Sequence, residues 1–179
     1  AGFQAVNSSW NFAMNMLDSV GIAGQTLVAT ALGAGSVSRA RQLTRATGRA
    51  GLVTGAIIGV VFAIVGLFAG HLFSPTPHVQ ILIAVGMVAM GVFFPLQGWM
   101  MAIDGILIGA RDYRYLAGTC TLTAVVYIAL ILVLASIVTP IMPNDLSRTA
   151  MLWAAFNVVL MGGRGLFNGL RVRSDVWMK

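Results

Sequence analysis

Between Arg49 and Asp104 lie 54 consecutive residues without an Asp, Glu, Lys or Arg. As one helix rising about 1.5 Å per residue this run would reach about 81 Å, against a bilayer hydrocarbon core of about 30 Å, so it must turn back on itself. Ser74-Pro75-Thr76-Pro77-His78 supplies the turn, because such residues end one helix and start the next. The stretch therefore reads as two spans, residues 50–73 and 79–103. By the same reasoning residues 115–139 form a third, ended by Pro140 and Pro143, and residues 149–170 a fourth, interrupted by Arg164. Residues 8–32 form another, with Asp18 as its sole charge and Gly33 and Gly35 as its stop. The expectation is an all-α, polytopic membrane helix bundle of five spans.

Composition agrees and removes the alternatives. Charged residues make up 9% of the chain and hydrophobic residues 58%, with a mean hydropathy of +0.88. That excludes a disordered chain, a nucleic-acid binder with a solvated basic face and an ordinary cytosolic enzyme. The single cysteine, Cys120, cannot form an intramolecular disulfide or a multi-cysteine metal site, and scattered methionines read as apolar filling. Gly163-Arg164-Gly165 has Asn168 where a dinucleotide fingerprint needs its third glycine. His71 and His78 flank the Pro turn with no acid or cysteine near them in sequence, so no metal site is expected.

Nine of the eleven cations fall in three segments: Arg39, Arg41, Arg45 and Arg49; Arg111 and Arg114; Arg171, Arg173 and Lys179. With five crossings all three lie on one side, which the positive-inside rule makes cytoplasmic, together with the C-terminus. Arg41, Arg45 and Arg49 recur every four residues, as a short basic helix resting on anionic headgroups would. Trp10 and Trp153 fall near the outer edge and Tyr113, Tyr115 and Trp177 near the inner one, as interfacial aromatic belts. An odd number of spans with an external start implies a further helix before Ala1, completing a six-helix unit of the kind from which many transporters are built.

Polar residues inside the spans are costly and so informative. Asn7, Asn11, Asn15, Asp18 and Gln25 fall within an arc of about 80° on the first span, at about 100° per residue, with Phe12, Met16, Val20 and Leu27 opposite. A stripe of this length should face protein or water, and Asp18 lies about 12 Å below Trp10, close to the midplane. Asp104 is the second acid, about 10 Å from the inner edge, with Gln97 on its face and Pro95 able to kink the helix and free a carbonyl. A gating or ion-site segment and a helix-end aspartate reaching headgroup water both fit that depth. Arg164, the only cation inside a span, lies at a matching depth with Asn157 and Asn168 on its face; an ion pair with Asp104 is within reach, and snorkelling to the headgroups is the simpler outcome. Gly51/Gly55/Gly59, Gly66/Gly70, Gly105/Gly109 and Gly165/Gly169 are close-packing signals. Two helices end alike, as Leu32-Gly33-Ala34-Gly35 and Ile108-Gly109-Ala110-Arg111, a likeness that is weak alone because glycine commonly stops helices.

The run from Leu17-Asp18-Ser19-Val20-Gly21 through Gln25 to Leu32-Gly33-Ala34-Gly35, followed by Arg39-Ala40-Arg41, resembles the eighth helix and following loop of multidrug and toxic compound extrusion (MATE) transporters. It looks closest to their DinF-like branch. Ile103-Asp104-Gly105-Ile106-Leu107-Ile108-Gly109-Ala110-Arg111-Asp112-Tyr113-Arg114-Tyr115 is similar to the family's stretch ending the tenth helix, and Leu72-Phe73-Ser74, Arg173, Asp175 and Trp177 also fit. The resemblance implies helices eight to twelve of twelve, most of a C-terminal six-helix lobe, in the inner membrane of a bacterium. It implies an exporter that exchanges H⁺ or Na⁺ for organic, often cationic, compounds by alternating access, working with an N-terminal lobe and membrane lipids and with neither nucleic acid nor any cofactor beyond the coupling ion. Asn11, Asn15, Asp18, Gln25, Gln97 and Asp104 are then the candidate cavity residues. A lipid-linked precursor flippase of the wider superfamily would have a similar layout but should carry more cavity cations than Arg164 alone. A membrane enzyme should gather acid, base or nucleophile groups near one interface, which two separated aspartates do not. A non-transporting membrane subunit is the remaining alternative.

Overall fold

The computed structural model describes every residue except Ala1, Ala69, Pro143, Asp175 and Lys179. The helix stop expected at Pro143 and the tail residues Asp175 and Lys179 thus lie outside the described residues. Helix α1 is Gly2–Gly33, α2 Val37–Phe68, α3 Pro77–Gly109 and α4 Tyr113–Val133, the last running on through a π-helical turn at Leu134–Val138. Helices α5 (Asp145–Ala155) and α6 (Gly163–Arg173) are joined by a second π-helical stretch, Phe156–Gly162, into one rod. Four of these rods, Val37–Phe68, Pro77–Gly109, Tyr113–Val138 and Asp145–Arg173, are long and apolar enough to cross a membrane. The fifth, α1, is long enough but is diluted by its amides and Asp18.

Each boundary has a local cause. Pro77 opens α3 at a position where its missing N–H is harmless, and the Asn144 side chain caps α5 by accepting from the Ser147 N–H at 2.9 Å. Gly35 ends α1 in the left-handed region at φ 70°, with Ser36 N–H donating to Ala31 O and Gly35 N–H to Leu32 O. Arg111 ends α3 in the same conformation, at φ 62°, with Asp112 N–H donating to Leu107 O and Arg111 N–H to Ile108 O. The likeness of the two sequences is therefore a likeness of conformation, and each cap is followed by a new helix after one residue.

Two expectations are corrected here. The basic segment at Arg41, Arg45 and Arg49 is not a separate helix lying on headgroups. It lies in the first four turns of α2, which at 32 residues extends about 48 Å and so projects beyond a core of about 30 Å; no Pro or αL residue breaks it. The outer Trp10 and Trp153 are not a lipid-facing belt either. Trp153 is buried, Trp10 is half-buried, and at the inner end Trp177 is buried with its indole N–H on Val172 O.

Helix α3 is the hub, touching α1, α2, α5 and α6. Its seam with α2 is backbone on backbone: a Cβ added at Gly51, Gly55 or Gly59 would overlap the carbonyl oxygens of Gly98, Phe94 and Gly91 respectively. Helix α3 runs through Pro95 unbroken, and the carbonyl that the proline leaves without its helical donor, that of Gly91, faces Gly59. Against α1, Gly105 and Gly109 meet the carbonyls of Gly21 and Gln25 in the same way. Gly165 and Gly169 differ: they seat the Trp99 indole and not another backbone. Side-chain packing fills the half of the bundle toward the Pro turn (outer) around Leu17, Phe62, Met87 and Phe94, and the half toward the basic helix ends (inner) around Val28, Ile103, Ile106 and Trp177. Of α4 only Thr119 and Thr123 are buried, while Leu122, Val125, Ile128 and Leu132 stand exposed, as expected of a helix in lipid.

Candidate functional site

Gln97 and Asp104 stand two turns apart on α3, and Asn157 and Arg164 stand at the same interval on the α5–α6 rod. The helices lie so that these residues meet in two rungs. In the outer rung the fully buried Gln97 accepts from the Trp10 indole N–H at 2.9 Å and donates through Nε2 to Asn157 Oδ1. Asn157 in turn donates to Trp153 O at 2.7 Å and to Met90 Sδ at 3.1 Å. One turn of amides thereby ties α1, α3 and α5 together.

The inner rung is charged. Arg164 Nη2 lies 2.6 Å from Asp104 Oδ2, and Asn168 Nδ2 donates to Asp104 Oδ1 at 2.6 Å. Thr119 of α4 donates to Asn168 Oδ1 at 2.8 Å, so α4 joins the network. Asp104 is 4% exposed, and the Arg164 side chain 29%. The acid is thus enclosed and the arginine fills the side nearer the surface. A carboxylate at this depth is tolerable only because a guanidinium neutralises it and an amide satisfies its other oxygen. Arg164 does not snorkel away, and Asp104 does not reach headgroup water. Further inward Arg171 pairs with Asp112 at 2.7 Å and stacks over Tyr115 at 4.7 Å, while the Tyr115 hydroxyl donates to Phe167 O.

The α1 stripe is placed otherwise. The buried edge of α1 is Val6, Ala13, Leu17, Gly21, Gly24, Val28 and Ala31, roughly a third of a turn from the polar set. Asn11, Asn15 and Asp18 are exposed, Asn7 and Gln25 half-buried. Among the described residues Asn11 donates to Asn7 O of its own helix, at 2.9 Å. Among the described residues no cation lies within ion-pair distance of Asp18. The six candidate residues therefore divide: Gln97 and Asp104 lie inside the bundle, Asn11, Asn15 and Asp18 on an exposed face of α1, and the half-buried Gln25 at the edge of that face, its main chain against Gly109.

Sequence reasoning left Asn157, Asn168, Trp10 and Thr119 out of the site. The signal was present: the seven-residue interval of Gln97 and Asp104 is repeated by Asn157 and Arg164. At the outer end His78 lies 3.9 Å from Asp145, so it does have an acid near it, supplied by the distant start of α5. Both groups are exposed, and no cluster of three or more metal-ligating side chains occurs among the described residues.

Comparison with known proteins assigns the architecture. Residues 1–133 match the family model MatE, three-quarters of the chain. The chain belongs to the MatE family. It is also 27% identical over 136 residues to Protein DETOXIFICATION 42 of Arabidopsis thaliana, a match covering 76% of this chain and 26% of that protein. The chain thus spans about a quarter of the length of that relative. No solved structure matches. MatE membership, together with four helices long and apolar enough to span a bilayer, identifies a multi-pass membrane protein. The matched segment holds α1 to α4, with Asp18, Gln97 and Asp104; the rung partners Asn157 and Arg164 lie beyond it.

Proposed function

We propose that this MatE chain forms most of one lobe of an ion-coupled antiporter that exports organic, often cationic, compounds, and that the free polar face of α1 lines the substrate cavity against an N-terminal lobe. The single observation that carries this reading is the exposure of Asn11, Asn15 and Asp18 on a helix whose buried edge, roughly a third of a turn away, is packed against α2 and α3. In a bilayer such a face needs water or another protein beside it. Asp18, unpaired by any described cation, attracts the cargo, and the apolar side chains around it give loose, polyspecific affinity.

Binding of H⁺ or Na⁺ at the acids would neutralise them and release the cation. This drives alternating access only if the ion binds outward-open and inward-open states unequally. Asp104 fits a supporting role better than a cargo-binding one, since Arg164 already neutralises it. The same pairing weighs against a diphosphate-carrying flippase, because the one cation inside a span has no charge to spare. The resemblance to the DinF-like branch supports a bacterial inner membrane, with the basic helix ends and the C-terminal tail in the cytoplasm.

The test is Asp18→Asn in the full-length transporter. Ion-coupled efflux should be abolished while the amount of protein in the membrane is unchanged; efflux at the wild-type rate refutes the assignment.

A further inference from the structure

Two contiguous clefts open at the basic end of the bundle, between α2 and α6. The first, about 250 Å³, is lined by Arg41, Thr44, Arg45, Arg173 and Trp177 among others. The second, about 330 Å³, shares Thr44, Arg45 and Arg173 and adds Arg49, then runs down past Leu52, Ile103, Val172 and Gly169 along the half-buried Trp99 indole. Arg45, Arg49 and Arg173 are exposed at its rim, and no carboxylate occurs among its described lining residues. The walls change from cationic to apolar along the helix axis, in the direction a bilayer changes from headgroup to hydrocarbon.

The glycines give the cleft its form. Gly169 and Gly165 of α6, with Gly48 of α2, leave the space in which the Trp99 ring sits, so the indole props the two helices apart where side chains would otherwise close the gap. The result is a slot with an arginine rim and an aromatic floor. Phosphate esters suit such a rim, because guanidinium groups bind them with paired N–H donors, and acyl chains suit such a floor.

We propose that this slot between α2 and α6 is a binding site for a phosphate-bearing anionic lipid, with its headgroup on Arg45, Arg49 and Arg173 and an acyl chain along Trp99. The inference rests on the membrane placement of the chain and not on its transport activity. It tells against a merely diffuse attraction of a basic surface to acidic membranes, because the rim arginines stand over an apolar groove, whereas Arg39 and Arg114 lie outside it.

The experiment uses the purified full-length transporter in detergent, with phosphatidylglycerol and phosphatidylcholine of identical chains supplied at equal amounts and bound lipid counted by native mass spectrometry. Phosphatidylglycerol should be retained preferentially, and Arg45→Gln with Arg173→Gln should lower that retention about tenfold or more, given what each arginine contributes beside an anionic headgroup. The charge-matched control, Arg39→Gln with Arg114→Gln, should leave it unchanged. Trp99→Ala should weaken the lipid, with soluble glycerol phosphate binding far more weakly than lipid throughout; a matched thermal midpoint checks folding of each variant. Equal retention of the two lipids, equal loss in both double variants, or glycerol phosphate binding as well as the lipid would overturn the proposal, the last by assigning a soluble phosphate instead.

Discussion

Breaking the inner rung from either side should cost unequal amounts. Arg164→Gln leaves the Asp104 carboxylate enclosed, with the Asn168 amide as its remaining donor; the loss should lie in the range of about 3–5 kcal/mol typical of an uncompensated buried charge. Asp104→Asn leaves a guanidinium on a long stem with 29% of its side chain already exposed, which can bend toward the interface, so about 1–2 kcal/mol is expected. The double variant replaces the pair by two neutral amides and should cost about as much as Asp104→Asn alone, so the coupling energy should match the Arg164→Gln loss, about 3–5 kcal/mol, at or above the top of the range typical of contacting residues. The assay is unfolding of the full-length protein in bicelles by titration with a denaturing detergent, followed by tryptophan fluorescence, for wild type, both single variants and the double. Equal single effects that add in the double would refute the pairing, because the two groups would then be acting independently. A larger loss from Asp104→Asn than from Arg164→Gln would refute the burial asymmetry on which the estimate depends.

The α2–α3 seam makes a sharper contrast between glycines. Gly55→Ala places a methyl against the Phe94 carbonyl and Pro95 Cα, neither of which can move aside, and should destabilise by about 1–3 kcal/mol or more, while Gly118→Ala on open α4 should be neutral or slightly stabilising; the same unfolding titration separates them, and similar effects at both sites would mean the seam is looser than described. In the outer rung Trp10→Phe removes one hydrogen bond to Gln97 and should cost about 1 kcal/mol, whereas Gln97→Leu strands both the Trp10 indole and the Asn157 amide and should cost about 2–4 kcal/mol by the penalty for unsatisfied buried groups; a smaller loss from Gln97→Leu would show that water replaces it.

The spans were legible because their signals are local. An uncharged run, a Pro-x-Pro turn and glycines past a helix end state helix number and turning points without reference to any other part of the chain. Boundaries were less so: α2 begins at Val37 and not Ala50, because a helix does not stop where the bilayer does. The aromatic belt failed for a similar reason, since depth along a helix is readable from sequence but azimuth is not, and Trp10 and Trp153 face inward to an amide and a core. The polar face of α1 was visible as a period in one helix. The rungs needed two helices in register, and Asn157 and Asn168 became site residues only once α3 and α6 were set side by side. The cap at Arg111 was concealed for another reason: the left-handed position is taken by arginine, which avoids it, where its counterpart uses Gly35.

The glycine seams also limit how this bundle can deform. Where two helices touch through their main chains, there is no rotamer to exchange and no side chain to slide past another. Helices α1, α2 and α3 therefore form a stiff plate that has to travel whole. Adjustment falls to the joints where the backbone ladder already departs from α-helical register, at Leu134–Val138 and Phe156–Gly162, the second of which carries Asn157 and ends two residues before Arg164. A hinge that bears Asn157 couples any bend of the rod to the making or breaking of its contacts with Gln97 and Met90.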